Sequence, residues 1–158
     1  MGAVASGKGI RRIVLPHYQR DDLAALLAWE HRGAIERQEP FERLVALSRQ
    51  YFNAETVDFG ELGCDSPASE TFTGMVYHAC REIPYGQTVS YSDLARQIRR
   101  PDAARAVATA MSKNPIPLVV PCHRVIYADG RCGGFSAPAG PAQKTRMLEL
   151  EKRVSTGR

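Results

Sequence analysis

A chain of 158 residues with 44% hydrophobic side chains, 24% charged ones and a net charge of +4 makes one domain, or two small lobes on a shared core, and needs neither disulfides nor metal to fold. It holds no run of eighteen apolar residues and no hydrophobic leader, so a soluble, cytoplasmic protein with no membrane partner is expected. Cys64, Cys80, Cys122 and Cys132 form no C-x-x-C pair, and His17, His31 and His78 fall at no ligand spacing, which argues against a disulfide framework, a zinc ribbon or any bound metal. Charge is unevenly spread. Residues 1–71 carry eight Lys/Arg against eleven Asp/Glu, and residues 72–158 thirteen against six, so the balance moves from −3 to +7. A basic second half suits a polyanionic partner, or is simply a solvated surface.

In chain order, residues 1–9 are rich in Gly, Ala and Ser and are expected to fray. Residues 10–15 read as a short strand. Residues 21–29 predict a helix with Leu23, Leu26 and Leu27 on one face and Trp29 in the core. Phe41, Leu44, Val45, Ser48, Tyr51 and Phe52 repeat at helical spacing behind Pro40, again as core. The pattern lapses over residues 57–68, which divides the chain into an abbreviated N-terminal lobe, 1–68, and a second domain, 69–158. Ser69 is the expected cap of a helix carrying Phe72, Met75, Val76, Ala79 and Cys80, with Cys80 in the core. A turn at residues 83–86 follows. Ser90-Tyr-Ser-Asp93 then has the form of a capping box and opens a short helix. Residues 99–102 break that helix before a second one, over 103–111. Two short helices around a tight turn fit a helix-turn-helix. The second helix is almost all alanine with one arginine, as close approach to a minor groove or ordinary helix packing would each require.

The segment from Asn114 to Ile126 holds three prolines and interrupts an apolar run with Cys122, His123 and Arg124. Cysteine attacks as the thiolate, and a neighbouring imidazole or guanidinium lowers a thiol's pKa, so the trio suits a nucleophile; a core cysteine is the plainer alternative. In an extended segment adjacent side chains point to opposite faces, which favours a bridging water over a direct Cys122–His123 bond. Asp129-Gly130 predicts a hairpin turn. The Gly/Pro-rich residues 133–141 are expected to form a loop that serves as a lid beside the cysteine, and Pro141 to open a last helix bearing Met147, Leu148, Leu150 and Glu151.

Val120-Pro-Cys-His-Arg-Val-Ile126 resembles the signature of the O6-alkylguanine-DNA alkyltransferases, and the likeness runs, in order, through residues 83–95, 103–107, 111–115 and 144–151. The resemblance implies an α+β fold: a short N-terminal α/β lobe, then a mainly helical lobe with a helix-turn-helix and a buried active-site cysteine. It implies single-turnover repair, in which Cys122 takes the alkyl group from O6-alkylguanine in duplex DNA. His123 would deprotonate Cys122 through water, Glu151 would orient His123, Tyr91 would aid departure of the flipped guanine, and Asn114 would tie the hinge to the site. Arg105 would replace the extruded base, with Ala103, Ala104, Ala106, Ala108, Ser90 and Arg124 along the DNA. Val125, Phe135 and Ser136 would line the pocket and lid. A monomer without cofactor is implied, nucleoid-associated in a bacterium. Phe135 stands where the family commonly has tyrosine, Ala108 replaces a frequent glycine, and the lid loop is longer. A non-catalytic lesion-recognition protein of the alkyltransferase-like kind is the alternative.

Overall fold

A computed structural model describes residues 1–16, 18–135 and 140–157 of the chain, which leaves His17 and Ser136 outside the described residues. Strands β1 (Gly2–Ser6) and β2 (Gly9–Val14) pair antiparallel, from Gly2 opposite Val14 to Ser6 opposite Gly9. The residues expected to fray are therefore half of a ribbon. Their small side chains let a helix settle on it: a Cβ at Gly2 would lie 2.8 Å from Leu27 and 2.9 Å from Leu23. Both leucines belong to α1 (Arg20–Glu30), which buries Leu23 alone. Trp29 is 73% exposed rather than in the core, since six residues on from Leu23 a helix has turned its side chain about 120° away.

Helix α2 (Glu42–Phe52) follows a 3-10 turn, Glu39–Phe41, with Pro40 in its first positions. It buries Leu44, Leu47, Ser48 and Tyr51, whereas Val45 and Phe52, placed on the same stripe by spacing, lie at the surface. Residues 57–68 do not act as a slack linker. Val57 and Phe59 enter the core, Ile10 N–H donates to Gly63 O (3.0 Å), and Arg81 reaches back to the carbonyls of Gly60 and Leu62. Buried side chains from Ile10 to Met147 form one continuous cluster, and full burial of each large aliphatic member contributes about 1.5–3 kcal/mol.

Helix α3 (Phe72–Arg81) is capped by Thr71, whose hydroxyl accepts from Gly74 N–H at 3.0 Å. Ser69, the expected cap, donates to Glu70 instead. Helix α4 (Tyr91–Gln97) starts as the sequence indicates, with Ser90 Oγ accepting from Asp93 N–H. After Arg99 (φ 59°) and a 3-10 turn at Pro101–Ala103 comes α5 (Ala104–Ser112), which packs on α3 and α4 through Val107, Ala110 and Met111. β3 (Val89–Ser90) pairs in parallel with β4 (Val125–Ile126). The hairpin turn expected at Asp129-Gly130 forms after β4, with Gly130 N–H donating to Tyr127 O and Tyr127 N–H to Arg131 O, both at 3.0 Å, although no returning strand pairs with β4 among the described residues. Helix α6 (Gly140–Ser155) closes the fold, burying Lys144, Met147 and Glu151. No helix among the described residues is long and apolar enough to cross a membrane.

Candidate active site

Asn114 folds the proline-rich segment back on itself. Its Nδ2 donates to Val120 O (2.8 Å) and its Oδ1 accepts from Ile116 N–H (3.0 Å), while Ile13 N–H of β2 donates to Pro115 O (2.8 Å). Leu118 sits at φ 76°, a region that bulky side chains rarely adopt. The segment is thus a series of tight turns, and Cys122–Arg124 is a 3-10 turn. That corrects the extended reading, because Asn114 supplies the hydrogen bonds that prolines cannot. Cys122 is 2% exposed.

Glu151 is the hub beneath this turn. Its Oε1 accepts from Tyr51 Oη (3.0 Å) and Arg124 Nη2 (3.0 Å), its Oε2 from Arg124 Nε (3.0 Å) and Gly86 N–H (2.9 Å), and His123 Nε2 lies 2.7 Å from Oε1. Arg124 also donates to Ile83 O at 2.7 Å and lies over the Tyr85 ring. Gly86 (φ 76°) has no room for a side chain, since a Cβ would run into Ser155. Arg124, expected along the DNA, is instead 7% exposed and committed to Glu151. A buried carboxylate this close leaves a guanidinium no better partner.

The protonation states follow. Burial opposes the charge on Glu151, but hydrogen bonds from His123 and Arg124 outweigh it and bring the carboxyl down to about 2. Burial pushes the His123 pKa down, and the pull of Glu151 does not restore it, so the imidazole is neutral near pH 7. An ionised carboxylate only accepts, hence Nε2 carries the ring proton and Nδ1 is a bare acceptor. Nδ1 is buried and has no hydrogen-bond partner among the described residues. Burial also pushes the Cys122 thiol up, against smaller opposing effects of Asn114 and Lys144. The sequence pointed the other way, to a thiol acidified by its neighbours. His123 is neutral and Arg124 is neutralised by Glu151, so neither supplies the needed field. Cys122 rests as a thiol and must lose its proton during reaction.

On the other flank, Tyr91 is 5% exposed and burial raises its pKa to about 12, so its hydroxyl is a lasting donor. Lys144, 1% exposed, donates to Tyr91 Oη (3.3 Å) and Val125 O (2.5 Å). With its oxygen occupied by the ammonium, the Tyr91 hydroxyl keeps its own proton to give. Gly133 abuts Tyr91 so closely that any Cβ would strike the hydroxyl. Val125 is buried, and Phe135 is partly buried against the core. Arg105 and Ala106 are exposed on α5, with Ala103 half-buried at its start. Ala104 and Ala108, expected along the DNA, pack partly against the core, and Ser90 is a buried cap. Tyr51 and Lys144 went unassigned as functional groups in the sequence. Lys144, Met147 and Glu151 share one helical stripe, and two charges on a buried stripe were the available signal. Among the described residues no cluster of three or more His, Cys, Asp or Glu could hold a metal.

The pattern of the 6-O-methylguanine DNA methyltransferase, DNA binding domain, matches residues 71–153. A methylated-DNA–protein-cysteine methyltransferase of Mycolicibacterium paratuberculosis is 42% identical over 123 residues, covering 78% of this chain and 72% of that protein. The inducible one of Bacillus subtilis is 48% identical over 89 residues, 56% of this chain and 49% of its own length. Among solved structures, Mycobacterium tuberculosis OGT in complex with DNA matches with a TM-score of 0.77 and 33% identity, over 96% of this chain and 86% of that one.

Proposed function

Because the chain belongs to the family of the 6-O-methylguanine DNA methyltransferases, we propose that it repairs O6-alkylguanine in duplex DNA by moving the alkyl group irreversibly to Cys122. The observation that carries this reading is the geometry of His123, held through Nε2 by Glu151 with Nδ1 unpartnered among the described residues, next in the chain to a buried thiol. Nδ1 takes the thiol proton through a bridging water, and the resulting imidazolium is stabilised by Glu151. The sulfur attacks the alkyl carbon in line; an S–C bond forms as the C–O6 bond breaks, and its electron pair leaves on the guanine. Tyr91 donates to the departing base, its hydroxyl kept available by Lys144. No group in the site displaces a thioether, so each molecule acts once.

O6 is hidden in the duplex and the base must be extruded, at a cost of a few kcal/mol. The exposed face of α5, with Arg105 and Ala106, suits a minor groove, and Arg105 suits the place left by the flipped nucleotide. α4, its turn and α5 serve as the helix-turn-helix of this interface. The basic second half adds phosphate contacts, so binding weakens with salt. Such a protein works in the cytoplasm, at the chromosome.

Intact-protein mass after incubation with duplex DNA carrying one O6-methylguanine tests the reading. One methyl increment on Cys122, absent in Cys122→Ala, is expected. Tight lesion binding without an increment would point to a recognition protein, and neither binding nor transfer would refute the proposal.

A further inference from the structure

Tyr51 lies in the half of the chain outside the family match, yet its hydroxyl is in the innermost layer of the site. It is 0% exposed, donates to Glu151 Oε1 at 3.0 Å and lies 3.4 Å from His123 Nε2. Its ring meets Phe52, Phe59, Tyr85 and His123 edge-on or tilted, at centroid distances of 5.2 to 6.2 Å. Packing on several sides fixes where the hydroxyl points. Burial, then Glu151, push its pKa upward, so it stays a donor at any working pH.

We infer that Tyr51 is a positioning residue of the proton relay, sharing the Glu151 oxygen that accepts from His123 and so setting how strongly that carboxylate holds the imidazole. An oxygen that accepts from Tyr51 as well as Arg124 offers less negative charge to His123 Nε2–H. His123 therefore remains a neutral acceptor at lower pH than a lone Glu151 would allow, and its ring is held in one orientation. The other charged groups that act on His123 are Arg124 on its own turn and Lys144 on α6, and Cys122 precedes it on that turn. The cations Arg124 and Lys144 already oppose a charge on His123. Tyr51 acts in the same direction without carrying charge. The inference rests on the proposed role of His123 as acceptor of the Cys122 proton. It gives the N-terminal lobe a chemical task besides support.

The test pairs two variants of the full chain, Tyr51→Phe and Tyr51→3-fluorotyrosine. The first removes the donor and keeps the ring; the second keeps the geometry and strengthens the donor. The His123 titration is followed by nitrogen NMR, and the single-turnover methyl-transfer rate is measured against pH at saturating duplex. Tyr51→Phe is expected to raise the His123 pKa by about one unit, one unit being a modest change in the balance of a charged hydrogen bond, and to move the acid limb of the rate profile upward by the same amount. Fluorotyrosine should move both the opposite way. A purely structural role would lower thermal stability and leave both profiles in place, and that result would overturn the inference. If Tyr51→Phe does not fold, the fluorotyrosine profile decides alone. Failure of the wild type to transfer methyl would sink the repair reading instead, while the His123 titration would still judge Tyr51.

Discussion

Replacing Glu151 by Gln removes one charge and almost no volume, and so isolates what the buried carboxylate does. Its folded pKa of about 2 stands against an ordinary glutamate value of 4.5; at 1.36 kcal/mol per unit, that difference corresponds to about 3 kcal/mol of stability at neutral pH. A second route gives a similar figure. Arg124 would be left 7% exposed with no counter-charge, and breaking a buried pair from one side costs about 3–5 kcal/mol. Against a total of about 5–15 kcal/mol for a domain this is a large loss. Urea unfolding at pH 7 should show it as a lower midpoint at unchanged slope. The sign with pH follows from the lowered pKa: the contribution is fully present above about 4.5 and is lost as pH falls toward about 2, so the gap between wild type and variant narrows over that window. His123, whose folded pKa is also lowered, makes the wild type lose stability from about pH 6.5 downward as well. A second substitution, Arg124→Met, should recover part of the loss, because it removes the orphaned charge. A difference under about 1 kcal/mol at pH 7, or a gap that stays constant down to pH 3, would refute the assignment of Glu151 as the ionised hub.

Gly133→Ala should displace Tyr91, because the new Cβ meets its hydroxyl and the ring, 5% exposed, has no space to retreat; a thermal unfolding scan should register about 1–3 kcal/mol of destabilisation, and the transfer rate should fall with it. Thr71→Ala removes the hydroxyl that caps α3 and should cost about 1 kcal/mol in urea, with no change in transfer rate at saturating duplex.

The parts of the fold that were legible in the sequence are those where one local rule decides. Ser90 and Asp93 announce the start of α4 because a capping box needs only four residues, and Cys80 was placed in the core by spacing alone. The structure departs from local pattern where a distant partner decides. Residues 2–6 look too small to be ordered, yet they pair because β2 and α1 lie against them. Trp29 looks like core, but α1 turns it outward. Tyr51 was visible as a buried aromatic, whereas the carboxylate it serves is a hundred positions away, and no periodicity carries that. The thiol's protonation departs from the local pattern for the same reason: adjacency in the chain places His123 and Arg124 beside Cys122, and only the fold shows both already bound to Glu151.

The depth of Cys122 also determines which electrophiles can reach it. Small alkylating agents diffusing in water react with thiols that are accessible and ionised, and a group 2% exposed and held protonated by burial is neither. Cys64 and Cys132 are partly exposed and lie open to such agents. On the proposed function, Cys122 responds only to a carbon that a flipped nucleotide brings to it. Selectivity then comes from the route of delivery rather than from intrinsic nucleophilicity, and a protein that can react only once is protected from reacting with the same chemicals that damaged the DNA.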